Sequence, residues 1–210
     1  DLEKKIQKRV AEEGNDGKLL HLANDGIVYG SLIEKLLTLL LAKLVNFVPE
    51  GGIWMTTQRP EWNDANNALV GKGLSVVTLA YLRRFLVFVS DLLKESTNDW
   101  LPVHTEVKEF FGKVEKGLQE FQPFLNGSFS DQQRRSLMDL LGQAGSDYRW
   151  ACYKDGFSGE NTDLNKTDLA SFMEMVLANV DASLAANRRS DGLFNSYNIS
   201  HLTEDSARVS

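Results

Sequence analysis

The sequence predicts an all-α protein, and three observations carry that expectation. Two long segments, 31–47 and 74–94, are apolar on nearly every side of a helical projection, as helices buried on several faces are. Other segments show one apolar and one charged face, the mark of an outer layer. No stretch of the 210 residues alternates apolar and polar side chains convincingly enough for a half-buried strand. Such an alternation of buried and half-exposed helices suits two concentric layers better than a four-helix bundle. No internal repeat is visible, which argues against a regular solenoid.

Leu2, Ile6 and Val10 recur at helical spacing between Lys and Glu, and Asn15-Asp16-Gly17 ends that first helix. Lys18 to Leu22, with His21, is a short segment of no clear type, and Asn24-Asp25-Gly26 is a turn. Ser31 to Phe47 forms the first all-round apolar helix, stopped by Pro49-Glu50-Gly51-Gly52. Leu74 to Lys94 forms the second. Its β-branched residues would suit a strand, but the run is far longer than the usual ~5–6 residues. Ser96-Thr97-Asn98-Asp99 and Pro102 break it. Helices are expected over Val103–Phe121, Asp131–Cys152 and Asp168–Asn187, with Ser130 and Thr167 where N-caps belong. In the first of these, Val107, Phe110, Phe111, Val114 and Leu118 make the inward face. The last stretch turns at Asp191-Gly192 and carries Phe194 and Tyr197.

A chain that is 42% hydrophobic buries a sizeable core without disulfide or metal. Its net charge of −6 argues against nucleic acid or an anionic membrane as partner. Cys152 is the single cysteine, so no intrachain disulfide forms, and a reducing, cytoplasmic setting is expected. No signal peptide is visible, and Leu36 to Val45 is too short to span a bilayer. The chain starts inside a helical pattern without an initiator Met and stops in a polar stretch, as a domain truncated at both ends would.

Metal sites are not expected. His21, His104 and His201 share no ligand spacing, so each is assigned a structural or surface role. Asn161-Thr162-Asp163-Leu164-Asn165 opens like a calcium loop, but Lys166 stands where glycine is required and Phe172 where the bidentate Glu belongs. Gly71-Lys72-Gly73 is too short to cradle a phosphate. Cys152 has no nearby His and is expected to be an inert buried thiol. Three Asn-x-Ser/Thr triplets, at Asn126, Asn165 and Asn198, are read as chance.

The chemistry-bearing stretch is Thr57 to Asn67, dense in carboxylates and amides and holding one indole. Pro60 disfavours helix at Arg59, and Asn and Asp prefer turns, so a loop is expected here. Polar clusters on loops held by a rigid scaffold commonly serve binding or catalysis, though an elaborate helix cap would use the same residue types.

Glu61-Trp62-Asn63-Asp64-Ala65-Asn66-Asn67, followed by Val70-Gly71-Lys72-Gly73-Leu74-Ser75, resembles the catalytic segment of the cellobiose-phosphorylase family of glycoside phosphorylases. That family carries Asp-Trp-Asn-Asp-Gly-x-Asn, then Val-Gly, a glycine and a serine before a hydrophobic helix. Trp62, Asn63, Asp64 and Asn67 match residue for residue; Glu61 replaces Asp and Ala65 replaces Gly. The match covers about twenty residues. It implies part of an (α/α)6 barrel across residues 1–210, with Asp64 as general acid and Trp62 against the sugar. Glu61, Asn63, Asn67 and Arg59 complete the candidate substrate site. No metal or organic cofactor is implied. Inorganic phosphate would be co-substrate and an oligosaccharide the substrate. The remainder of the same catalytic domain would be a partner, and a homodimer is compatible. A full barrel needs on the order of 300 residues, so these helices make roughly half, and the piece need not be active alone.

Glycosidic cleavage needs an acid to protonate the leaving oxygen, and an inverting hydrolase needs a second carboxylate to activate water. A phosphorylase needs only the acid and an anion site, because phosphate is the nucleophile. The acid must hold its proton near neutral pH. The expected activity is inverting phosphorolysis of a β-glucoside or similar oligosaccharide to a sugar 1-phosphate. The rivals are an inverting glycoside hydrolase on the same fold and a non-catalytic helical interaction module.

Overall fold

The computed structural model describes residues 2–24, 26–56, 68–125 and 127–210. Within them the all-α expectation is overturned: the fold is mixed, with helices built around a five-stranded antiparallel sheet and a separate two-stranded one. The expected segment of an (α/α)6 barrel falls with it. Strands precede three of the helices directly, so the helices do not follow one another as hairpins.

Helix α1 spans Leu2–Glu13 and runs into a 3-10 turn, Gly14–Lys18. Helix α2 spans Leu32–Leu44; the Ser31 hydroxyl caps it by accepting from the Glu34 amide. Then come β1 (Phe47–Val48), β2 (Gly52–Trp54) and β3 (Gly73–Ser75). Helix α3 (Val76–Glu95) begins at the end of β3, capped by Ser75, whose hydroxyl accepts from the Thr78 amide. Strand β4 (Trp100–His104) leads into α4 (Thr105–Phe121), and β5 (Asn161–Asn165) into α6 (Lys166–Ala186). Between them lies α5 (Asp131–Trp150), opened by Ser130 and Gln133 in a reciprocal capping box and closed by a π-helical turn, Ala151–Asp155. Strands β6 (Tyr197–Leu202) and β7 (Ala207–Val209) complete the chain.

The sheet order is β1-β2-β3-β6-β7, every pairing antiparallel. Strands β4 and β5 pair as the second sheet, so the calcium-loop look-alike, Asn161–Asn165, is a strand. Leu74 and Ser75, expected inside a helix, are strand residues facing Asn198 and Tyr197. Val103 and His104 likewise belong to β4 rather than to a helix. The cap of α6 is Asn165, whose carboxamide accepts from the Thr167 and Asp168 amides, not Thr167.

The core collects Leu37, Leu40, Leu41 and Leu44 of α2 with the inward faces of α3, α4, α5 and α6. Val107, Phe110, Phe111, Val114 and Leu118 are all buried, as their spacing predicts. The two helices expected to be buried all round are not: Leu32 and Leu39 of α2 are 70% and 61% exposed, and Tyr81 and Phe88 of α3 are 63% and 55% exposed. By length and mean hydropathy α6 could cross a membrane, yet its Leu169, Phe172, Met173, Val176 and Val180 are packed in the core.

A polar knot joins sheet to helices at the turn between β1 and β2. The buried Arg134 of α5 donates to Pro49 O (2.9 Å), Ala207 O (2.8 Å), Asp131 Oδ1 (2.8 Å) and Glu50 Oε2 (2.6 Å). Glu50 sits at φ +61°, and its amide donates to the Ser183 hydroxyl (3.0 Å). Asn187 donates to Glu50 O, and Asn198 donates to both Gly51 O and Asn187 Oδ1. The next residue, Gly52, has φ +131°, and a Cβ there would meet Ser75 C and O at 2.9 Å. Gly52→Ala should therefore cost about 1–3 kcal/mol, read by denaturant unfolding, because backbone rather than a yielding side chain is in the way.

Candidate functional site

The segment that carries the sequence-level site joins two neighbouring strands, and its anchors are well defined. Trp54 of β2 faces Leu74 of β3. Beyond that pair, Met55 donates to Gly73 O (2.9 Å) and accepts from the Gly71 amide (2.7 Å). The Trp54 indole N–H donates to Gly71 O at 3.0 Å. Arg59, Glu61, Trp62, Asn63, Asp64 and Asn67 lie outside the described residues, as does the whole stretch 57–67 that the sequence predicts to be a loop. Helix α3 starts at Val76, after β3, so the polar segment does not lead straight into a helix.

The first of these anchored ends borders a large half-open cavity of ≈ 970 Å³, whose wall includes Trp54 and Thr56. The remaining wall comes from parts of the chain remote in sequence. Helix α1 and the following turn supply Lys5, Arg9 and Lys18, the segment after them supplies His21, and the end of α5 with its π turn supplies Arg149, Trp150, Cys152, Tyr153 and Lys154. Single π turns are often found where side chains are aimed at a functional site.

Charge and chemistry on this wall are uneven. Lys5, Arg9, Lys18, Arg149 and Lys154 line it, with no Asp or Glu among the described lining residues, although the whole chain has net charge −6. A concave surface with one sign of charge concentrates ligands of the other sign. Trp54, Trp150 and Tyr153 add flat aromatic faces, and Trp150 and Tyr153 are largely exposed. Such faces offer contact to the C–H side of a pyranose ring.

Two wall residues have displaced acid strengths. Burial holds the Tyr148 phenol far above its ordinary value, so it is a neutral hydroxyl. Burial also pushes the Cys152 thiol up to about 11. A thiol raised in this way is protonated at neutral pH, in keeping with an unreactive cysteine. Alkylation of Cys152 at pH 7 should run about a hundredfold slower than that of a free thiol, and should keep rising beyond the ~8.5 at which an ordinary thiol levels off. A rate profile with iodoacetamide checks both.

The three histidines part company. His104 is buried against Glu34, with Nδ1 2.8 Å from Oε1 and its backbone amide donating to Oε2 at 3.1 Å. His201 is exposed, with Nε2 2.9 Å from the Ser210 hydroxyl. Both are structural or surface residues, as expected; His21 lies in the cavity wall. Elsewhere, Tyr197 pairs with Ser75 in the sheet, and Arg189 holds Asp191 at 2.8 Å in an exposed ion pair. Among the described residues, no group of three or more His, Cys, Asp or Glu could hold a metal ion.

The wall of the cavity was not legible as a site. Its one sequence signal is Tyr148-Arg149-Trp150-Ala151-Cys152-Tyr153-Lys154, three aromatics and two cations in seven residues, which reads simply as the end of a helix. No protein-family model matches the chain, and no curated protein matches it.

Proposed function

We propose that this chain takes part in cleaving a glycosidic bond with inversion, by phosphorolysis of a β-glucoside or similar oligosaccharide to a sugar 1-phosphate. Asp64 delivers the proton to the bridging oxygen, and phosphate attacks the anomeric carbon from the opposite face. Trp62 lies against the sugar, while Glu61, Asn63, Asn67 and Arg59 bind its hydroxyls and the incoming anion.

One observation carries the proposal beyond the sequence motif. The acid-bearing segment follows Trp54 and Thr56, which line a cavity that also presents aromatic faces and five cations. The aromatics suit a sugar and the cations suit phosphate.

The test is product analysis of the complete polypeptide on a panel of β-linked disaccharides, with and without phosphate. Sugar 1-phosphate formed only when phosphate is present supports the proposal. Release of free sugar alone, at a rate indifferent to phosphate, turns the assignment to a hydrolase. No turnover of any sugar, together with sugar binding that Asp64→Asn leaves unchanged, turns it to a non-catalytic module.

A further inference from the structure

The floor and the mouth of the cavity differ in chemistry. Phe47, Val48, Phe110 and Cys152 line it and are buried, and Leu22 and Val45 line it half-buried. Two polar side chains of the wall are already engaged: the Asn46 carboxamide donates to Ala42 O at 3.2 Å, and the Tyr148 hydroxyl meets Thr38 and Cys152. The floor is therefore an apolar surface with little hydrogen-bonding capacity to spare. Water resting on it finds few partners, so an apolar body that displaces that water is favoured.

The mouth carries the charge. Lys5, Lys18, Arg149 and Lys154 are exposed there, and Arg9 is half-buried. Among the described residues Lys5, Arg149 and Lys154 have no carboxylate partner, and Lys18 meets only Asn15 Oδ1, at 3.4 Å. Asp147, two residues before Arg149, spends its two oxygens on Lys113 and Gln143, both at 2.6 Å. Cations from α1, the 3-10 turn, the end of α5 and the π turn thus reach one opening that no described Asp or Glu lines. They are solvated, so a head group held among them keeps part of its hydration, and the charge is not buried.

We propose that the cavity binds an amphipathic anion, an alkyl carboxylate whose chain lies on the floor of Phe47, Val48 and Phe110 and whose head sits among the cations of the mouth. This goes beyond the glycosidic function, which draws on the aromatic faces and the cations and leaves the floor without a role. Neither half of the cavity is sufficient by itself. Exposed cations hold a small anion weakly, because water and salt screen them. The floor alone would take any apolar molecule. Together they select for a charged head joined to an apolar body, and ≈ 970 Å³ is ample for one such molecule.

The test is calorimetric titration of the full chain with octanoate, decanoate and dodecanoate below their micellar concentrations, beside decanol, acetate and inorganic phosphate. Affinity should rise by about tenfold for each two carbons added to the chain. Decanoate should bind about tenfold more tightly than decanol, and acetate and phosphate far more weakly than dodecanoate. Arg149→Gln combined with Lys154→Gln, both at exposed positions, should lower decanoate affinity by about tenfold and leave decanol unchanged. Cys152, the single cysteine, reports the place: saturating dodecanoate should slow its alkylation by iodoacetamide by about tenfold at about pH 9. No binding of any alkyl carboxylate overturns the proposal, as does affinity indifferent to chain length. Decanol bound as well as decanoate, phosphate bound as tightly as dodecanoate, or an unprotected Cys152 also overturns it. None of these outcomes bears on product formation, which decides the glycosidic function separately.

Discussion

Asp64→Asn lowers turnover of an unactivated disaccharide by about a hundred- to ten-thousand-fold, the usual contribution of a positioned general acid. The carboxamide keeps the shape and hydrogen-bonding capacity of the side chain but has no proton to give. An aryl glycoside with an acidic leaving group needs little protonation, so the variant should lose far less activity on it. That contrast separates loss of proton delivery from loss of binding. Equal losses on both substrates would assign Asp64 to positioning, and no loss on either would remove it from the site.

The second large effect is on stability. Arg134→Ala should destabilise the fold by about 3–5 kcal/mol, seen as a fall in the denaturant midpoint, since it strands Glu50 and several carbonyls in a buried setting. The guanidinium is 5% exposed and bonds the β1–β2 turn, the start of α5 and strand β7 at once. Arg134→Lys should recover little, because one ammonium cannot reach donors' positions spread over a planar fork. The exposed pair Arg83–Asp181 offers the contrast: its Nε–Oδ1 separation is 2.5 Å, but both partners are solvated. Removing it should cost no more than about 1 kcal/mol.

The helices were largely legible because their apolar spacing repeats over twelve or more residues, and Ser31 and Ser130 sit where their hydroxyls cap. The strands were not. β1, β2, β3 and β7 are two or three residues long, too short for any period to register. Gly52 and Gly73 look like turn residues, yet each is a place where backbones approach closely: a Cβ at Gly73 would meet Leu69 Cβ at 2.5 Å. Apolar content also misled about burial in α2 and α3. Leu39 and Phe88 carry the right chemistry for a core and face outward, since periodicity records what a residue is rather than what covers it.

The site was legible in a different measure. The motif around Asp64 could be read from adjacent residues, and its core, 61–67, lies outside the described residues. The cavity beside it draws Lys18 and His21 together with Arg149 and Cys152, more than a hundred positions apart. No spacing rule joins such positions; only the fold, which sets them in one cavity wall, does.

The outermost strand has a protective consequence. Ile199, His201 and Thr203 spend their outward main-chain capacity on Ser210, Arg208 and Ser206, and Arg134 pins the far side of that short ribbon. Were a protease to clip the ribbon away, the bared rim of its neighbour would offer free amides and carbonyls to the same rim of another molecule. Chains so trimmed would be prone to stack edge to edge into insoluble material.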